Sequence, residues 1–375
     1  MQKTLRLSLL MAGVVSLVTG CQPEAPAPAS DAALKTHESA LTTLGGWSSN
    51  RPMFTEEQSH TATLLNSGEV LVAGGYDSAG TVVRGQLYNP YTDSWRPAGF
   101  MKKSRYDHTA TLLASGKVLV AGGRHISSAG PGLPDTAEVY DPATDTWNNT
   151  ANTLGGRIGH SAVLLDSGKV LVTGGNYGSI HVTRDAKVYD PATDSWSIAS
   201  YMNEKREGHT STVLFSGKVL VTGGSWSGPG NSTELYDPAT DTWTPAPPMQ
   251  QSRAYHVAVE LYSGYVLVVG GDTAGTAELF NPYNETWLPV PPCPVSGGDL
   301  TATLLFSGEV LVAGNGTANA ALYDPSTNSW LPTSPMQQSR WGHAATLLHT
   351  GEVLVTGGGS NGAFTETSTV ERFKR

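Results

Sequence analysis

The feature that most constrains this chain is a stretch of about fifty residues written seven times, seen most plainly as RIGHSAVLLDSGKVLVTGG, a variable loop, then KVYDPATDSW at 157–196. HSAVLL alternates small or polar residues with apolar ones, DSG is a tight turn, and KVLVTGG is an aliphatic run ending in paired glycines, which together predict a β-hairpin. KVYDP predicts a third short strand closed by a turn, in which Asp190 bonds backbone two residues on and Pro191 presets its φ; TDSW brings back a fourth. Four short antiparallel strands have faces they cannot bury alone, so the unit must stack on its copies.

The copies keep register. His60, His108, His160, His209, His256 and His343 each start one, and Leu300 holds that place in the sixth. A glycine pair follows 14 and 15 residues later, from Gly74 and Gly75 to Gly357 and Gly358, with Gly314 and Asn315 in copy six. Tyr88, Tyr140, Tyr189, Tyr236, Phe280 and Tyr323 stand 7 residues before Trp95, Trp147, Trp196, Trp243, Trp287 and Trp330, and each Trp stands 13 before the next copy. Only the step from the second glycine position to the aromatic varies, running 13, 17, 14, 12, 9, 8 and 15. Packing fixes three spacings and leaves one free.

This pattern of leading His, double glycine and spaced Tyr and Trp resembles kelch repeats across residues 47–373. The resemblance implies an all-β fold, a seven-bladed β-propeller with one four-stranded sheet per blade. Trp47 lies 13 residues before His60, whereas the last copy stops after Phe373 without a Trp of its own. The segment near Thr42 to Ser48 is therefore expected to supply the missing outer strand of the last blade.

Ahead of the propeller, expected over 41–375, residues 1–20 read as a signal peptide: Lys3 and Arg6 precede the short apolar run Leu7–Val18. Val18-Thr19-Gly20-Cys21 is similar to a bacterial lipoprotein signal, which implies that Cys21 is lipidated and anchors the chain at the cell envelope, at the outer membrane or cell surface. Residues 21–40 add a Pro- and Ala-rich tether expected to lift the propeller off the membrane. Removing residues 1–20 takes away two basic residues and no acid, leaving 21 basic against 32 acidic side chains. An acidic protein without a basic cluster argues against nucleic acid as partner. With Cys21 lipidated, Cys293 is a lone thiol and no disulfide framework is available.

Strand order places function. In a four-stranded antiparallel blade, the loop between strands two and three and the connection to the next blade emerge on one face. That face collects the variable loops, longest in copies two, three and seven: Arg124 to Thr136, Asn176 to Asp185 and Gly359 to Thr369. Candidate binding residues there are Arg124, His125, His181, Tyr255, His256 and two aromatics outside the repeat positions, Trp226 and Trp341. The six repeated histidines could form a ring for a metal or anion, or donate to a neighbouring blade's backbone; the second reading is favoured because a ring across a channel seldom converges on one ion. Neither a metal nor a cofactor is expected, and the Asp-Pro turns read as self-satisfied turns rather than calcium loops.

Arg105, Arg206, Arg253 and Arg340 sit three residues before their histidines, in copies whose third strands carry Glu138, Glu234, Glu278 and Glu371. Arg157 goes with Lys187, and the two copies without Arg, at Glu57 and Gly297, also lack the Glu, with Gln86 and Ala321 in its place. A pair repeated four times reads as structural, because a unique active site does not need four copies.

Two enzyme families built on kelch propellers bear on function. Copper radical oxidases use a Tyr-His pair, which Tyr255-His256 resembles, but they also require a Cys-linked Tyr and a His from an added domain, which find no match here. Periplasmic sialic acid epimerases are similar in size and fold and would use Arg, Glu and His on the variable face. The expectation is a membrane-anchored, non-catalytic propeller binding an envelope protein or glycan; the alternative is a sugar-processing enzyme of the epimerase kind.

Overall fold

The computed structural model describes residues 45–127, 130–151, 155–178, 181–224, 230–360 and 365–375. Every regular element among them is a strand. Seven four-stranded antiparallel sheets follow one another, and blade three is typical, with Ser161–Leu164, Val170–Thr173, Ala186–Asp190 and Ser195–Ala199 paired in chain order from the channel outwards. The second strand, VLVA, VLVT or VLVV, is buried along its whole length in every blade, as an aliphatic run pressed on both sides by other blades must be.

The core lies between the blades. The described residues form seven apolar clusters, one per interface: Leu65, Leu71 and Met101 of blade one meet Val118, Tyr140 and Trp147 of blade two. The ring closes where Val70, Val72 and Tyr88 of blade one meet Leu348, Leu354 and Val370 of blade seven. Blade seven takes its outer strand from Gly46–Asn50, which pairs antiparallel with Val370–Lys374 and sets Trp47 opposite Phe373. Closure by an N-terminal strand thus holds, with the strand lying two residues further on than the sequence suggested.

Each fixed spacing has a contact behind it. A Cβ on the first glycine of a pair would meet the next blade's histidine: His108 Cε1 2.6 Å from Gly74, His160 Cε1 2.3 Å from Gly122, His60 Cε1 2.8 Å from Gly357. These glycines adopt φ of 56–67°, so both space and backbone exclude a side chain. Each repeat Tyr–Trp pair stacks at a tilt, with ring centroids 4.8 Å apart for Tyr88 and Trp95. The indole N–H then reaches into the preceding blade, as Trp243 Nε1 does to the Ser200 carbonyl at 2.8 Å.

Cys293 occupies the place that Met53, Met101, Met202, Met249 and Met336 hold seven residues before the copy start in other blades. Its backbone N–H bonds Gly275 O as Met249 N–H bonds Asn231 O, and burial pushes its thiol up to about 12, so it is a core side chain rather than a nucleophile.

Candidate functional site at the channel mouth

The repeated charges are sealed inside the blades. Arg105–Glu138, Arg206–Glu234, Arg253–Glu278 and Arg340–Glu371 are ion pairs of 2.7–2.9 Å with side chains at most 4% exposed. Each Arg Nη1 also donates to the carbonyl of its blade's first glycine, as Arg206 does to Gly223 O at 2.6 Å. Each Glu accepts from backbone N–H groups of the connecting segment, as Glu138 does from Lys102 and Lys103. The pair therefore staples the end of the second strand, the third strand and the blade connection together, and no ligand can reach it. In blade three Arg157 instead donates to Tyr177 Oη at 2.6 Å, which in turn donates to Asp185. In blade one Glu57 accepts from Gln86 Nε2 at 2.8 Å, and burial pushes its carboxyl up to about 7.

The histidines are equally enclosed. Each Nε2 hydrogen-bonds a threonine hydroxyl of the preceding blade, His60 with Thr356, His108 with Thr61, His160 with Thr109, His209 with Thr173 and His343 with Thr301, at 2.8–3.0 Å. Burial and the nearby arginines depress them, to about 4 for His60 and about 3 for His160, so they stay neutral near pH 7. Their partner is a side-chain hydroxyl where a backbone group was expected. His256 is a correction: as a candidate binding residue it needs access, but it is 5% exposed and bonds Thr210 and Thr222.

What faces the channel mouth is the residue just before each histidine position. Ser59, Asp107, Gly159, Gly208, Tyr255, Asp299 and Gly342 all have left-handed backbones, φ 52–67°. Their peptides bond from blade to blade: Ser59 N–H to Gly342 O, Asp107 N–H to Ser59 O, Gly208 N–H to Gly159 O and Tyr255 N–H to Gly208 O, at 2.7–3.1 Å. Three positions use glycine, which adopts this conformation freely. The other four hold Ser, Asp, Tyr and Asp there, at an intrinsic cost of roughly 1–2 kcal/mol each.

Around that ring the blades stop repeating. Asp107 meets Arg124 at 3.7 Å, both about half exposed. Tyr106 and Tyr76 place their rings 5.7 Å apart. Tyr255 lies over Gly208 and donates to Glu207 Oε1 at 3.2 Å, while Asn176 donates to Oε2 at 3.0 Å. Burial, and then Glu207, push the Tyr255 phenol up to about 12, so it acts as a neutral hydrogen-bonding group. Burial raises the carboxyls of Asp107 and Asp299, and the charge of Asp299 adds to the shift at Asp107. Three carboxyl groups against the one guanidinium of Arg124 give this described ring an acidic, aromatic lining.

Short bridges fix the variable loops to the mouth: Gln58 with Tyr76, Tyr106 with Arg124, Ile158 with Asn176, Trp341 with Gly359. Of the residues singled out from sequence, Arg124, Tyr255 and Trp341 belong to this rim, the Trp341 indole lying against Gly359. His125 stands on the hairpin of His125–Ser127 with Gly130–Gly132, and His181 on the exposed blade-three loop. Trp226 lies outside the described residues, as does Cys21. Sequence reading passed over Asp107, Glu207 and Asp299; the signal was there, since Gly at three of seven equivalent positions marks a left-handed backbone.

A cleft of about 690 Å³ lies elsewhere, on the turn face between blades three and four, lined by Leu165, Val188 and Pro238 among others. Equivalent residues line clefts between blades two and three and between five and six. A gap that recurs with the repeat belongs to the architecture.

Comparison with known proteins fits this geometry. A fungal alcohol oxidase of the AA5 family, described in complex with copper, superposes with a TM-score of 0.72 at 19% identity, over 88% of this chain and 76% of its own, which establishes the shared fold alone. The copper chemistry does not transfer: His256 is enclosed by threonines, the Tyr255 phenol bonds Glu207, and the only described cysteine is buried in a methionine position. No curated protein matches this sequence. The profile of the KLHDC2/KLHL20/DRC7 Kelch-repeats domain matches residues 59–271, more than half of the sequence, and with its seven kelch blades the chain belongs to that Kelch-repeat family.

Proposed function

We propose that this protein is a recognition propeller, held at the cell envelope by lipid on Cys21, that binds a protein or glycan at the channel mouth. The observation that carries the reading is the strained ring: Ser59, Asp107, Tyr255 and Asp299 keep left-handed backbones that glycine would adopt without cost, at a level of the mouth where the blades differ from one another. Strain retained against an available relief points to a role for those side chains. Their chemistry, carboxyls with one guanidinium and several phenols, suits hydrogen bonding and stacking on a sugar or a peptide. A sugar-processing enzyme would draw on arginine, glutamate and histidine, yet the repeated ones are locked in blade staples or held neutral between blades.

The test is a binding screen of residues 41–375 on a glycan array and against envelope extract, repeated with Asp107→Ala and Tyr255→Gly. Capture of one ligand class by the wild type that both variants weaken about tenfold or more, a loss of ~1.4 kcal/mol, with both variants still folded in thermal melts, is the expected result. Undiminished capture by the variants removes the mouth from consideration. Turnover of a sugar by the wild type overturns the non-catalytic reading.

A further inference from the structure

The face opposite the mouth carries the turn between strands one and two and the turn between strands three and four of every blade. The residue after the conserved leucine of the first turn is Asn66, Ala114 and Asp166 in blades one to three, but Phe215, Tyr262 and Phe306 in blades four to six. Tyr283 and Tyr91 add rings from the second turns of blades five and one. These five aromatics are 56–71% exposed.

They form a continuous crescent. A Cβ on Gly264 of blade five would meet Phe215 Cδ2 at 3.2 Å and Tyr283 Oη at 2.6 Å; one on Gly308 of blade six would meet Tyr262 at 3.6 Å, and one on Gly351 of blade seven would meet Phe306 at 3.3 Å. Gly68 of blade one has Tyr91 at 3.2 Å and His349 at 3.5 Å. Phe215, Tyr262 and Phe306 thus each lie on the next blade's turn, Tyr283 and Tyr91 lie on their own, and the first turns of blades one to three are without rings. Single exposed aromatics are ordinary; a one-sided arc of them marks an interaction surface.

We propose that this crescent rests on the lipid surface to which the chain is tethered. The occupant follows from where the tether joins: Gly46 is the first residue of the outer strand of blade seven, it pairs with Lys374, and both lie at the turn-face end of that blade. Residues 22–44 would span about 70 Å as a polyproline-like tether and at most about 83 Å if fully extended, so a lipid on Cys21 keeps this face within reach of the bilayer. Phe and Tyr favour the membrane interface, where an apolar ring enters the acyl boundary and a phenol stays wet. Several charges on the face are paired, among them Lys117–Asp141, Lys169–Asp190, Arg372–Glu352 and Arg375–Glu309. Docking therefore works chiefly through the rings and depends little on salt. The mouth, on the opposite face, is then presented away from the bilayer. This inference rests on the lipid-anchor reading above and replaces the expectation that the tether lifts the propeller off the membrane.

The experiment reconstitutes the full lipidated protein in phosphatidylcholine vesicles, with and without phosphatidylglycerol, carrying an environment-sensitive fluorophore at Tyr283→Cys, Phe306→Cys or, on the mouth face, Ala79→Cys. Bromine-labelled lipid is expected to quench the probes at 283 and 306 and leave the one at 79 unquenched. Adding Phe215→Ser and Tyr262→Ser is expected to bring the 306 probe down to the level of the 79 probe while the protein still floats with vesicles. Flotation without quenching at 283 and 306 overturns the docking and leaves the anchor standing. Failure to float, with no acyl group on Cys21 by mass spectrometry, overturns both. Shielding of the 306 probe in dimers of the Cys21→Ala variant without vesicles assigns the face to a second copy and overturns the lipid assignment.

Discussion

At the scale of single residues, the mouth ring and Glu57 are where local preference gives way. Asp299 holds φ at 52° and is exposed, so Asp299→Gly is expected to raise unfolding free energy by about 1 kcal/mol, read as a higher denaturant midpoint at unchanged slope, while weakening ligand capture. A variant more stable and less active is the signature of a functional strain. Glu57 gives a pH effect of definite sign. Its carboxyl is raised in the folded state to about 7, so between pH 4.5 and 7 the folded protein binds more proton than the unfolded chain. This group's contribution to stability is therefore present at low pH and is lost as pH rises through that window, by at most roughly 1.4 kcal/mol per unit. Glu57→Gln is expected to flatten that loss and raise stability above pH 7, as followed by thermal melts from pH 4 to 8. A steeper loss in the variant would show that the charged form is the favoured one. Neither feature was visible as a single letter: left-handed backbone can be read from Gly159, Gly208 and Gly342 but not from Asp107 or Asp299, and the burial of Glu57 depends on the blade around it.

At the scale of the blade, the buried Arg–Glu staple sets the expectation. Arg206→Met leaves Glu234 charged and enclosed, still accepting from Asn203 and Glu204 N–H, and is expected to cost about 3–5 kcal/mol. Arg206→Met with Glu234→Gln should recover most of that loss, a coupling measured by a double-mutant cycle. The chain contains such a double deletion: blade six has Gly297 and Ala321, and Asn315 fills the space beside Gly297. Additive losses in the cycle would mean that the pair does not act as a unit. The association of Arg with Glu could be read because seven copies vary in concert, which is alignment information inside one sequence. The partner of Arg157 could not, since Tyr177 comes from the variable loop, where register between copies is lost. Tyr106, Asp107 and Glu207 lie in register just before His108 and His209 but change identity from copy to copy, so they escaped notice as a group, while Arg124 and Tyr255 were picked out singly.

At the scale of the molecule, closure and orientation matter. Trp47 stacks on Phe373 with centroids 5.1 Å apart and donates to Ser334 O at 2.9 Å, so one side chain ties blade seven to both the N-terminal strand and blade six. Trp47→Ala is expected to cost roughly 2–4 kcal/mol and to raise amide exchange in blades seven and one ahead of blades three and four. Uniform loss of protection would contradict local closure. The closing strand was legible because the 13-residue spacing places Trp47 as the partner missing from the last copy. The two-faced character of the ring was half legible: the variable loops marked the mouth face, whereas the aromatic turns of blades four to six became an arc only when stacking brought them side by side.

The two faces of the propeller are assigned different partners, and in-cell photocrosslinking tests that most directly. A photoreactive residue at position 124, on the mouth rim, is expected to capture a protein or glycan, and one at position 262, on the turn face, to capture lipid. Lipid adducts at 124, or the same protein partner at both positions, would contradict it.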